Sequence, residues 1–119
     1  MGMEIVQHDI VQHDIVLVDL NLSGSLEQTG AEIGKIRPYV VISPDEMNRY
    51  LRTVVVAPIT IGVLTVPTRV RVRHNKQDGW IVVDQITTID RRKIIRKLGH
   101  LSNPEIKKLK NVIRETYVD

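Results

Sequence analysis

Residues 38–43 (PYVVIS) and 53–59 (TVVVAPI) are two short runs crowded with Val and Ile. Branched side chains lose rotamer freedom in a helix and pack well on a pleated surface, so such runs fold as strands. The intervening PDEMNRYLR reads as a short turn of helix. Pro38 fixes the backbone at the entrance to the first run, and Gly34 lets the preceding loop turn tightly. Two strands therefore carry a cation, Arg37, and a hydroxyl, Thr60, to their ends. A guanidinium can bind two phosphate oxygens at once, and a hydroxyl adds a donor beside it. The pairing suits a phosphodiester without naming a reaction. The alternative is an arginine salt-bridged at a turn and a threonine that merely ends a strand.

Composition narrows the fold and the partners. At 119 residues the chain is expected to form one domain. It has no Phe, one Trp and three Tyr, so Val, Ile and Leu must build the interior. The absence of Cys excludes disulfides and thiolate metal sites. The four histidines are scattered and show no metal-ligand spacing, so no metal and no cofactor is expected. No apolar run approaches the ~20 residues that span a bilayer. The opening MGMEIVQHDIVQHD is too polar and acidic for a signal peptide. A cytoplasmic protein with no membrane partner is the expectation. A net charge of +3 and a pI near 9.4 suit a nucleic acid or an acidic protein, although many small domains carry a similar balance.

A tandem repeat opens the chain: Ile5–Asp9 and Ile10–Asp14 both read IVQHD. The second copy is expected to belong to the first strand, which leaves residues 1–9 as an extension. A repeat of odd period flips the face a strand presents, so the copies cannot be equivalent in one straight strand. Residues 15–20 read as a buried strand, 21–36 as a long loop and 61–66 as another. Residues 67–73 (PTRVRVR) alternate, which puts Arg69, Arg71 and Arg73 on one face. That face is either a track for phosphates or a solvated outer surface. HNKQDG should then turn the chain, and WIVVDQITT (80–88) should return as one strand. IDRRKIIRKLGHL reads as a helical turn and a short strand. Ser102-Asn-Pro-Glu105 matches a capping box and opens a helix. Its apolar face is Ile106, Leu109, Val112, Ile113, Thr116 and Tyr117. The predicted architecture is mostly β, a small, strongly bent antiparallel barrel with a C-terminal helix.

Six blocks occur in the order of one known family: DIVLVDL (14–20), GAEIGKIRPYVVISPDEMN (30–48, after Gln28 and Thr29), TVVVAPIT (53–60), PTRVRV (67–72), GWIVVDQITTID (79–90) and KLGHLSNPEI (97–106). From about Gln12 onward the chain resembles the MazF/PemK toxin endoribonucleases. The resemblance implies an SH3-like barrel of the MazF/PemK/CcdB kind over residues 10–119. It places Arg37 at the family's catalytic arginine and Thr60 at its catalytic Thr/Ser. Glu32 falls at an acid that orients the arginine or takes a proton, and Asp84 at an acid near the scissile phosphate. Both have a structural reading too, as a solvated loop carboxylate and a backbone cap. Gly34, Lys35 and Arg69 fall in substrate-binding blocks. Three positions depart from the pattern: Ile61 stands where many members have Ser, Val82 where some have a basic residue, and Thr87 where Arg is common.

What the resemblance implies is a metal-independent, sequence-selective cut in single-stranded RNA by attack of the RNA's own 2′-hydroxyl. It also implies a homodimer and a cognate acidic antitoxin of the MazE kind, with the complex binding DNA of its own operon. Two other readings are a CcdB-like protein that poisons gyrase without cutting RNA, and a degenerate member that only binds antitoxin. The losses at positions 61, 82 and 87 bear on the second.

Overall fold

The structure, a computed structural model, describes residues 10–21, 36–61 and 68–118. Its strands are β1 (Asp14–Asp19), β2 (Ile36–Val41), β3 (Thr53–Thr60), β4 (Arg69–His74), β5 (Gln77–Val82), β6 (Thr87–Asp90) and β7 (Ile94–His100). Helix α1 (Asp45–Tyr50) joins β2 to β3, and α2 (Asn103–Ile113) follows β7. The strands run in the order β4-β5-β3-β2-β1-β7, all antiparallel, with β6 also paired to β3. This is the mostly-β architecture with a C-terminal helix that the sequence predicts. Among the described residues no helix is long and apolar enough to cross a membrane.

The three central strands are buried on both faces. One core takes Ile15, Val40 and Ala57 and packs them against β4, β5 and α2 through Val70, Val72, Ile81, Leu109 and Val112. The other takes Val16, Val18, Tyr39, Val41, Val54 and Val56 and closes over Ile10, Ile89 and Ile94. Double-sided burial explains why these strands read as unbroken apolar runs, whereas β4, with one wet face, alternates.

Strand β3 is where the sheet bends. Thr53–Val56 pairs with β6, but Ile59–Thr60 pairs with β5, and the two registers are out of step. The surplus residues form a 3₁₀ turn at Val83–Gln85. The expected single strand over 80–88 is therefore two strands and a corner. Between the two pairings lie Ala57 and Pro58, and a proline has no N–H to offer a ladder.

Two local expectations also change. The hairpin turn is only Asn75 and Lys76, at φ 55° and 63°, and Gln77 already pairs with His74. Two left-handed residues make the tight turn whose twist matches that of the strands. The second IVQHD copy does not extend β1: the strand begins at Asp14, and His13 turns the chain at φ 75°. The first copy and most of the expected 21–36 and 61–66 loops lie outside the described residues.

Helix α2 starts as predicted. Ser102 accepts from the Glu105 N–H, and Glu105 Oε1 accepts from the Ser102 N–H at 2.8 Å. The same carboxylate reaches β4, where Oε2 accepts from the Arg73 N–H at 2.9 Å. Past Ile113 the chain widens into a π-helical turn, Arg114–Val118. The change of phase leaves the Tyr117 ring largely exposed, with its hydroxyl donating to the Val83 carbonyl at 2.7 Å.

Candidate active site

The pairing of β2 with β3 sets Tyr39 against Pro58, Val40 against Ala57 and Val41 against Val56. Carried on to the strand ends, that register sets Arg37 against Thr60. Arg37 also lies across from Val18, Thr60 across from Trp80, and Trp80 across from Arg71. Val18, Arg37, Thr60, Trp80 and Arg71 thus form one row across the sheet. Strand alternation places Arg37 and Thr60 on the face of Tyr39, Val41, Val54 and Val56. They are the polar end of an apolar core face.

Arg37, Pro38, Ile59, Thr60 and Ile61 line an open groove. Arg37 is exposed and makes no hydrogen bond or ion pair among the described residues. The Thr60 hydroxyl has only a 3.5 Å approach to the Ile61 carbonyl, too long to hold it. Among the described residues, neither group is committed to a partner. Tyr39, one step inside, has its phenol pKa pushed up by burial, against the pull of Arg37.

Asp84 does not line this groove. It leaves β5 at the 3₁₀ corner, where its Oδ1 accepts from the Thr68 hydroxyl at 2.9 Å and from Arg69 Nε at 3.4 Å. Partial desolvation pushes its pKa up, but Thr68, its own backbone N–H and Arg69 outweigh that, and the carboxyl is held below its ordinary value. The Arg69 side chain is 14% exposed, so this pair is half sheltered. The structure thus joins Asp84 to Arg69 and sets both apart from the Arg37–Thr60 groove. Glu32, Gly34 and Lys35 lie outside the described residues.

The arginine face of β4 is partly neutralised, which sequence spacing did not reveal. Asp78 bonds Arg71 Nη2 at 2.8 Å and Arg73 Nη1 at 3.2 Å. Its pKa is lowered, first by the hydrogen bond from Arg71. Trp80 was likewise not singled out: only the β3–β5 register puts it beside Thr60. Of the three departures, Ile61 is 68% exposed at the groove, Val82 is buried opposite Arg69, and Thr87 faces Val56. Only the first lines the groove.

Residues 11–117 match the family of PemK-like, MazF-like toxins of type II toxin–antitoxin systems. The chain belongs to the MazF/PemK family of toxin endoribonucleases. It is 37% identical over 101 residues to the endoribonuclease MazF of Staphylococcus saprophyticus, covering 80% of this chain and 84% of that one. Among solved structures, an endoribonuclease bound to its cognate antitoxin, from a mycobacterial species, superposes with a TM-score of 0.72 at 19% identity. That match covers 89% of this chain and 92% of the other. A MazE–MazF complex from Deinococcus radiodurans gives 0.73 at 16% identity, covering 92% and 95%. At such identities the superpositions establish the MazF fold and not the site.

Proposed function

We propose that this chain is the toxin of a toxin–antitoxin pair, a metal-independent endoribonuclease that cuts single-stranded RNA at a short sequence. The observation that supports the reading is that Arg37 and Thr60 line one groove at the ends of β2 and β3, with neither held by a strong hydrogen bond or ion pair among the described residues. The RNA's 2′-oxygen attacks the neighbouring phosphorus as its proton leaves. The bond from phosphorus to the 5′-oxygen breaks, and that oxygen takes up a proton. The products are a 2′,3′-cyclic phosphate and a 5′-hydroxyl. Negative charge grows on the non-bridging oxygens in between, and Arg37 and Thr60 are placed to hold it.

The proton steps fall to other groups. Glu32, which precedes β2 in sequence, is the candidate base. Asp84, held as a carboxylate by Thr68 and Arg69, is suited to orienting Arg69 toward a phosphate rather than to giving up a proton. Gly34 and Lys35 would bind the backbone nearby. The protein would act in the cytoplasm as a homodimer, with an acidic antitoxin segment laid over the basic RNA path. Charge balance and the antitoxin complexes of its structural relatives support the antitoxin partner.

The test is cleavage of a long mixed-sequence RNA in EDTA by the wild type and by Arg37→Ala, with both product ends mapped. Cuts at one motif with cyclic-phosphate ends, lost in Arg37→Ala, are expected. An intact RNA with wild-type protein overturns the reading and leaves gyrase poisoning or antitoxin binding alone to be tried.

A further inference from the structure

A second group of cations lies far from the Arg37–Thr60 groove. Thr60 closes β3, and at the other end Arg52 directly precedes Thr53. A strand rises about 3.3 Å per residue, so the two ends of β3 stand roughly 20 Å apart. Thr53 pairs with Asp90, and the ladder runs one step further: the Arg91 N–H donates to the Arg52 carbonyl at 2.9 Å. Arg92 follows in the 3₁₀ turn Arg91–Lys93. These three arginines and Asp90 line a cleft of about 360 Å³, within the size range of small-ligand sites.

The charges in this cleft are poorly compensated. Its carboxylate, Asp90, is taken by Arg92 alone: Oδ1 accepts from Nε at 3.1 Å and Oδ2 from Nη2 at 2.8 Å. Bonds from the Arg92 side chain and then its backbone N–H pull the Asp90 pKa down to about 2, so that pair is charged and closed on itself. Arg52 is exposed, and its side chain makes no hydrogen bond or ion pair among the described residues. Arg91 has Nε and Nη2 buried without a partner, and burial lowers its pKa. A desolvated, unpaired guanidinium is unfavourable, and an anion beside it offsets the penalty. The anion need not reach the buried nitrogens, because the charge is delocalised over the guanidinium and Arg91 also lines the cleft.

Three guanidiniums against one carboxylate leave two positive charges in excess. None of the residues lining the cleft is apolar, so it offers no seat for the apolar side chains of a peptide. A phosphate monoester carries nearly two negative charges at neutral pH, on three strong acceptor oxygens. Arginine forks match such oxygens in pairs. We propose that this cleft is an anion site for a phosphate monoester, separate from the groove of Arg37 and Thr60. The site goes beyond the ribonuclease reading and does not depend on it. Two sources supply the group: a free nucleotide and the 5′-phosphate end of an RNA chain.

The test is titration calorimetry at low salt on Arg37→Ala, in which the groove at the other end of β3 is silenced. The probes are inorganic phosphate, AMP and dimethyl phosphate. Phosphate and AMP should bind at one site, and the singly charged diester more weakly. Adding Arg52→Ala should weaken phosphate and AMP roughly tenfold or more, the loss of one charge-assisted hydrogen bond. Arg52 is exposed, so this variant should fold, and its thermal midpoint checks that. No binding of phosphate or AMP, or binding that survives Arg52→Ala unchanged, overturns the proposal. So does binding of a Glu-rich peptide in their place, or self-association that Arg52→Ala abolishes without any phosphate binding. The cleft would then serve a protein partner or a second copy of the chain. Oligonucleotides with a 5′-phosphate or a 5′-hydroxyl separate the two sources. Tighter binding of the phosphorylated chain than of AMP assigns the site to RNA ends, and binding no tighter assigns it to free nucleotides; either upholds the site. No step here requires RNA cleavage, so failure of the ribonuclease reading leaves this test intact.

Discussion

Asp14 is fully buried at the start of β1, and its Oδ1 lies 2.7 Å from Nδ1 of His100 at the end of β7. Its Oδ2 accepts from the Val11 N–H at 2.9 Å, and the Lys97 ammonium stands 3.3 Å from Oδ1. One carboxylate thus ties the turn before β1 to the neighbouring edge strand, where His100 is its cross-strand partner. Asp14→Ala leaves the Val11 N–H unpaired and should cost about 1–3 kcal/mol. His100→Ala should also destabilise, by stripping a partner from a buried acid. Urea unfolding of the two single variants and the double should give a coupling of roughly 0.5–3 kcal/mol. Additive effects would mean that the pair contributes nothing of its own.

Replacing Arg37 should abolish most turnover without unfolding the chain. Arg37→Ala is expected to lower kcat by roughly 10²–10³-fold. Arg37→Lys should recover little, because an ammonium lacks the two-pronged donor geometry. Thermal midpoints should stay near wild type, since Arg37 is exposed and unpaired among the described residues. A lysine variant with near-normal turnover would reduce the arginine to a point charge.

Stability should fall on mild acidification because of His13. Burial first, and then Lys110 and His100, lower its pKa below 6.5, while Asp45 and Asp14 oppose the shift. Below 6.5 the unfolded chain takes up a proton that the folded one resists, so this contribution is complete above that pH and is lost as pH falls. His13→Asn removes the titration and still tolerates the left-handed backbone at φ 75°. Urea midpoints between pH 5 and pH 8 should slope less in the variant. Parallel curves would exclude His13 as the source.

Glu105 joins the helix cap to β4, so its substitutions should grade. Glu105→Ala removes an acceptor from both the Ser102 and Arg73 N–H groups and should cost about 1–2 kcal/mol. Glu105→Gln keeps one amide oxygen and should fall between. If Glu105→Gln matches wild type, one of the two hydrogen bonds contributes nothing measurable.

Asp78 restrains two arginines on the face of Thr60 and Trp80. Freeing them should tighten RNA binding at low salt. For Asp78→Asn, the plot of log affinity against log salt should steepen, by about 0.7 for each phosphate newly neutralised. An unchanged slope would show that Arg71 and Arg73 stand off the RNA path.

Much of this molecule was legible before any coordinates. The Val- and Ile-rich runs announced β2 and β3, and Ser102 with Glu105 announced the helix. Arg37 stood out because Pro38 fixes the backbone beside it, and Thr60 because it closes a Val-rich run. What stayed hidden depends on register and on contacts distant in sequence. The break at Val83–Gln85 arises because β3 has two partners on one edge, and nothing within WIVVDQITT records that. Asp78 drew no notice, and Asp84 read as an acid near the phosphate or a backbone cap, until the structure set both beside arginines. The turn at His13 was masked by a repeat that promised a longer strand.

The central strands bury both their faces, and this limits where new function can arise. A change within Val54–Ala57 or Val16–Val18 disturbs tightly packed side chains, so the middle of the sheet resists alteration. Strand ends and the β4–β5 hairpin carry few such obligations. Substitutions can therefore accumulate at exposed positions such as Ile61 and Gln77 while the scaffold around Arg37 stays intact. Relatives could diverge in what they cut while converging on the same barrel.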